Sequence, residues 1–375
     1  MSWAITGVGA VASIGRDTDE VFSALLAGRD GLRPQRGFDQ TNLNASQLFE
    51  IDDRAGGPDR PCRATGFLLD AVAEAVSDAG LTDLTGVPVL VGTGLRELRS
   101  VELWARGAAE LTTDQLHFGT ALRERFGATD THTFANACSA SLYALALGTD
   151  LLEQEATDTV VVAGVDSITE TMFGLSDRVQ LRPPAAVRPF DDGRMGTILG
   201  EGAAAVVLRR DTAPRAPLGR VRAVAVNCDA YHSTAPDPDG VRAAIVAAHR
   251  LAGVKPDDIG LVVAHGTGTP LNDHVEAAVT REIFAGVATQ PLFAAIKSMT
   301  GHTSGAAGLL NLIVALRSMT GGQVPPITGL TDPIVEVRGF PLPSAGPLPC
   351  EATVAQVHAF GFGGINAVAI VEVGA

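Results

Sequence analysis

The sequence holds 375 residues, 46% of them apolar, with 42 glycines and 5% aromatics, which suits a large, close-packed α/β core and argues against disorder. Its formal charge of −14 disfavours nucleic acid or an anionic membrane as partner, and no apolar run reaches the ~18–20 residues of a membrane span. Four scattered cysteines (Cys62, Cys138, Cys228, Cys350) without CxxC spacing argue against a disulfide framework or a zinc site.

The first apolar run, WAIT, predicts a short strand leading into GVGAVASIG. GVGAVA matches the dinucleotide fingerprint G-x-G-x-x-A, but the acidic strand end due about 20 residues later is missing. That region, VFSALLAGRDG, is the end of a helix and a turn, so nicotinamide binding is not expected. MSWAITGVGAVASIG lacks the basic segment of a signal peptide, and a cytoplasmic protein is expected. DTDEVFSALLAGRDG reads as a capped helix ending at glycine, and residues 30–63 as irregular and polar.

TGFLLDAVAEAVSDAGL follows as an amphipathic helix, VPVLVGTG as a buried strand, and residues 95–129 as mainly helical. THTFANAC is a strand running into a helix that Cys138 opens, and DTVVVAGVD is another strand. RPFDDGRMGTILGEGAAAVVLRR is a glycine-rich loop entering a strand. APRAPLG, residues 213–219, is the best hinge, which divides the chain into residues 1–212 and 213–375.

The second half repeats the plan. RVRAVAVNC, IGLVVAHGTGT and PLFAAIKS read as strands, separated by the helices GVRAAIVAAHRLAGV and VEAAVTREIF. TSGAAGLLNLIVALRSMTGG is a helix, and VAQVHAFGFGGINAVAIVEV closes as two strands around a glycine-rich turn. VPVLVGTG and IGLVVAHGTG look like counterparts, a hint of internal duplication. Strands alternating with helices imply α/β layers around a largely buried sheet.

The candidate chemistry lies at strand ends. Cys138 opens a helix, where amide groups and the macrodipole favour the reactive thiolate; taken alone, a buried structural cysteine is the commoner case. His265 in HGTGTPLND ends an apolar strand, where open α/β sheets carry ligand chemistry, and a structural histidine fits that stretch equally well. KSMTGHTSGAAG sets Lys297 and His302 on either side of a short turn, in a chain with 26 arginines and only two lysines. FGFGGINA, residues 360–367, offers backbone N–H groups that glycine lets approach an oxyanion. A thiol, two imidazoles, a lysine and a glycine-rich turn together fit acyl transfer through a thioester. His232 on its loop reads as solvated or shape-forming, and His117, His132, His249, His274 and His358 as structural or surface residues.

In this order, ITGVGAVASIG, ALLAGRDG, NACSAS, VVAGVDS, RPFDDGRMGTILGEGAAAVVL, DAYHSTAPDPDG, AHGTGTPLND, KSMTGHTSGAAG and FGFGGINA resemble the β-ketoacyl-acyl carrier protein synthases, in their elongating Cys-His-His form, over nearly the whole chain. The resemblance implies the thiolase fold: an α/β, five-layer αβαβα sandwich of two similar βαβαβαββ halves, normally dimeric. It implies that Cys138 accepts the acyl chain and that the Cys138 and Phe362 amides form the oxyanion hole, with Phe362 as gate. His265 and His302 would promote decarboxylation of a malonyl thioester, Lys297 paired with Glu276 would set the electrostatics, and Thr267 and Thr269 would contact the pantetheine arm.

No cofactor or metal is implied, because the carbon nucleophile comes from loss of CO2. The implied partners are an acyl carrier protein, acyl and malonyl thioesters, and a second subunit, in a homodimer or in a heterodimer with a ketosynthase-like chain. Arg54, Arg60 and Arg63 are the candidate docking patch for the acidic carrier. The region VELWARGAAELTTDQLHFGT is shorter than in the family, which leans the expectation from fatty acid toward type II polyketide or other specialised synthesis. Acyl transfer to an alcohol or amine without decarboxylation, and a non-catalytic partner subunit, are the alternatives.

Overall fold

Strands and helices alternate along the chain as the hydrophobic pattern predicts, in a computed structural model that describes residues 2–374 apart from residues 40, 42, 55–58, 181 and 211–215. The first half contributes β1 (Trp3–Ala12), α1 (Thr18–Leu26), α2 (Arg63–Asp78), β2 (Val89–Thr93), β3 (Thr131–Ala135), α3 (Ala140–Glu153), β4 (Thr159–Asp166), α4 (Glu170–Val179) and β5 (Gly202–Arg209). The second contributes β6 (Gly219–Cys228), α5 (Pro238–Ala252), β7 (Leu261–Val263), α6 (Pro270–Ile283), β8 (Leu292–Ala294), α7 (Ala307–Gly321), β9 (Val354–Gly361) and β10 (Ile365–Glu372). The expected boundary after residue 212 lies outside the described residues.

The strands are ordered β8-β7-β9-β10-β6-β1-β5-β4-β2-β3. In the first half β3, β2 and β4 run parallel, then β5 and β1 add antiparallel. In the second, β8, β7 and β9 run parallel, then β10 and β6 add antiparallel. The two patterns are the same, so the duplication hinted at by VPVLVGTG and IGLVVAHGTG is real at the level of topology. The halves join through a short pairing of Trp3–Ile5 with Gly219–Val221.

Three apolar cores separate the layers. One packs α2 on the first-half strands, one surrounds α3 and α7 between the two halves, and one packs α5 and α6 on the second-half strands. The result is the αβαβα order of a thiolase fold. No helix among the described residues is long and apolar enough to cross a membrane.

Two expectations need correction. The strand predicted at WAIT is not short but continues to Ala12, so that it takes in GVGAVA. Its glycines serve packing: a Cβ on Gly7 or Gly9 would sit 2.1 Å from the Ala75 or Ala71 carbonyl oxygen of α2. The second correction concerns the docking patch, because Arg54 and Arg63 are buried.

Arg63 lies 2.5 Å from one Glu201 oxygen and 2.9 Å from Asp53, and Arg54 pairs with Glu50 and Asp59. Buried carboxylates demand buried cations, and these arginines supply them. Only Arg60 of the three is exposed. Arg63→Met should therefore strand Glu201, which also receives the Ile51 and Ile168 amides. A loss of ~3–5 kcal/mol is expected, read as a lower denaturant midpoint at unchanged slope in equilibrium unfolding.

Candidate active site

The chain leaves β3 and turns sharply into α3, with Ala137 at φ +47°. A left-handed alanine costs ~1–2 kcal/mol, held here by packing on both sides. A Cβ on Gly164 of β4 would lie 2.6 Å from Ser141 Cβ and 2.7 Å from the Gly305 oxygen, so glycine there lets the starts of α3 and α7 press onto the strand. Ser139 Oγ lies 2.9 Å from the Ala359 carbonyl and 2.6 Å from that of Ile365, which fastens the turn to the β9–β10 hairpin. Cys138, the residue between, presents its sulfur to a cavity of about 440 Å³.

Both imidazoles reach the same cavity. His302 Nε2 lies 3.0 Å from Cys138 Sγ, and the His265 ring stands edge-on to His302 at 5.2 Å between centroids. The Ser304 amide donates to His302 Nδ1 at 3.3 Å, so the ring proton belongs on Nε2. Lys297 Nζ lies 3.4 Å from His265 Nδ1 and also donates to the His265 carbonyl, which puts that ring's proton on Nε2 as well. Burial, with Lys297 adding to it, holds both rings well below the usual histidine range. The site therefore offers two neutral N–H donors.

Burial pushes the Cys138 thiol up to about 11, against the pull of the Lys297 charge and of the Phe362 and Cys138 amides. Those two amides face the sulfur, the placement an oxyanion hole needs. Phe362 sits on the hairpin turn at the cavity mouth, 45% exposed. Thr267 and Thr269 line the same cavity, their hydroxyls 2.8 Å apart.

Lys297 and Glu276 do not form the contact pair expected of them. The ammonium takes the His265 carbonyl, while Glu276 accepts the His265 and Gly266 amides at 2.6 and 2.8 Å. Both grip one short stretch of backbone from opposite charges. Burial lowers Lys297 to about 8, with Glu276 acting the other way.

Sequence reasoning missed Asp166 and Asp273. Asp166 ends β4 and collects Thr93 Oγ1 and the amides of Gly94, Leu95 and Gly305 at 2.6–2.8 Å. It thereby ties β2, β4 and the turn after His302 together. Asp273 does the same for Phe190, Thr267 and Gly268. Burial raises each to about 6. An acidic residue closing the apolar run VVVAGVD was the available signal. His232 Nδ1 accepts the Thr234 and Ala235 amides, a shape-forming role.

Residues 3–213 match the β-ketoacyl synthase N-terminal domain, and residues 218–331 its C-terminal domain. The 3-oxoacyl-[acyl-carrier-protein] synthase I, chloroplastic, of Hordeum vulgare is 30% identical, over 98% of this chain and 88% of the relative. The 3-oxoacyl-[acyl-carrier-protein] synthase 2 of Coxiella burnetii is 27% identical over 96% of both. Among solved structures, the ishigamide ketosynthase/chain length factor superposes with a TM-score of 0.90 at 27% identity, covering 100% of this chain and 99% of the other.

Proposed function

Because this chain belongs to the β-ketoacyl synthase family, we propose that it extends an acyl chain held on Cys138 by decarboxylative condensation with a malonyl-acyl carrier protein, within a type II polyketide or related specialised pathway. The observation that carries this is the meeting of Cys138 Sγ and two Nε2–H imidazoles at one cavity. In loading, the sulfur attacks the donor thioester carbonyl while the Cys138 and Phe362 amides receive the oxyanion. The thiol proton leaves on the carrier thiol.

In condensation, loss of CO2 leaves an enolate whose oxygen the two histidines receive. Its carbon attacks the acyl-Cys138 carbonyl and expels the sulfur, which takes up one proton. Fixed donors in a dry site stabilise such charge without reorganising, and His265 and His302 are 2% and 7% exposed. Thr267 and Thr269 suit the amides of a pantetheine arm.

The specialised pathway draws support from the likeness to a ketosynthase/chain length factor structure. An acyl carrier protein and a second subunit complete the reading, with β3 at the end of the sheet as the edge where another chain would add. The test is intact mass after exposure to acyl-carrier protein donors, followed by a malonyl-carrier protein chase with CO2 trapping. An acyl adduct discharged with CO2 and a lengthened product is expected. An adduct that persists through the chase would point to a non-decarboxylating acyltransferase, and no adduct with any donor would sink the proposal.

A further inference from the structure

Behind the site runs a line of buried polar side chains that the chemistry above does not use. His358 and Gln356, two residues apart on β9, share a face with Phe360 and are fully buried. That face belongs to the apolar core under α5 and α6. His358 Nδ1 lies 2.8 Å from Glu276 Oε1, His358 Nε2 lies 2.6 Å from Gln356 Nε2, and Gln356 Oε1 meets His249 Nε2 on α5. Polar groups so placed cost stability unless every one is paired. Here the pairing also has a direction.

Glu276, already taking two backbone amides and lying 3.2 Å from Asn272 Nδ2, acts as a carboxylate acceptor. His358 Nδ1 must then be the donor. The other nitrogen of the neutral ring accepts from the Gln356 amide, whose oxygen accepts from His249 Nε2–H. Three donors in series point at one carboxylate. The other groups facing this line are Lys297 from the short helix Lys297–Thr300, Asp273 on α6, His265 after β7 and, toward His249, Asp258 from the turn Pro256–Asp258.

We propose that His358, Gln356 and His249 are positioning residues for decarboxylation: they fix Glu276 as an oriented anion, and Glu276 fixes the His265–Gly266 backbone that aims the His265 ring. None touches substrate. The inference rests on the reading that His265 serves the malonyl half-reaction. It predicts a split between the two half-reactions, since Cys138 is held by Ser139 and faces His302, not Glu276.

The test compares His358→Phe, His358→Asn and Gln356→Met, scoring Cys138 loading by intact mass and CO2 release from malonyl-carrier protein against pH. His358→Phe should slow CO2 release ~10²-fold, the cost of misplacing a catalytic group by about an ångström, and displace its alkaline limb. Loading should change far less. His358→Asn, whose amide N–H falls near the Nδ1 position, should recover most of the loss, and Gln356→Met should lie between.

Equal CO2 release and an unmoved limb in His358→Phe and Gln356→Met would overturn the proposal. So would loss of loading and CO2 release together in all three variants, because the role would then be structural. Histidine ¹⁵N shifts of the wild type give an independent reading. A neutral Nδ1–H His358 is expected, and an Nε2–H or doubly protonated ring refutes the relay. A wild type that loads but releases no CO2 would sink the condensation reading, and the relay as an aid to decarboxylation with it.

Discussion

Cys138→Ala is expected to abolish acyl loading, with no mass adduct from any acyl-carrier protein and chain extension down at least ~10⁴-fold. The effect should be this large because the other thiol nearby and the neighbouring hydroxyl, Cys228 and Ser139, are both held elsewhere. Cys228, the exposed cysteine by the hairpin turn, bonds toward the Gly363 carbonyl. Ser139 is fully buried with its hydroxyl between two carbonyls. The variant should still release CO2 from a malonyl thioester. His302 is held by the Ser304 amide, and His265 by Lys297 and Glu276, so neither imidazole depends on the sulfur for its orientation. Loss of CO2 release along with loading would mean that Cys138 supports the site's structure, and would count against the assignment of separate roles.

What the sequence made legible follows from where the signal was local. Apolar alternation and glycine stops marked the strands, and the strand-to-helix turn at Cys138 was visible in ANACSAS because small residues must surround so tight a turn. The site lysine stood out because the chain uses arginine almost everywhere else. The misreadings came from contacts between distant segments. WAIT reads as a short strand until α2 is seen pressed along GVGAVA as well, and Arg54 and Arg63 look like a surface patch until Glu50, Asp59 and Glu201 are found around them. His358 reads only as a structural or surface residue because a single histidine in a strand carries no mark of its partner, which lies 82 residues away in sequence.

His265→Ala should lower CO2 release from malonyl-carrier protein by ~10²–10³-fold, the cost of one preorganised oxyanion donor. Cys138 loading should persist, because the ring nitrogen within reach of the sulfur belongs to His302. The pH profile of the wild type supplies the sign. Lys297, lowered by burial to about 8, is charged below that pH and loses its proton above it. Its charge beside His265 Nδ1 is what keeps the ring proton on Nε2, so CO2 release should fall as pH rises through about 8.

On the acid side both imidazoles stay neutral, since burial holds them well below the usual range. The acid limb should instead lie near 6, where Asp166 and Asp273 take up protons and weaken their hold on the surrounding amides. Lys297→Met separates the two causes, because it should remove the alkaline limb and leave the acid limb in place. If the alkaline limb persists in that variant, the titrating group is another one, and the lysine's part in fixing the His265 tautomer is refuted.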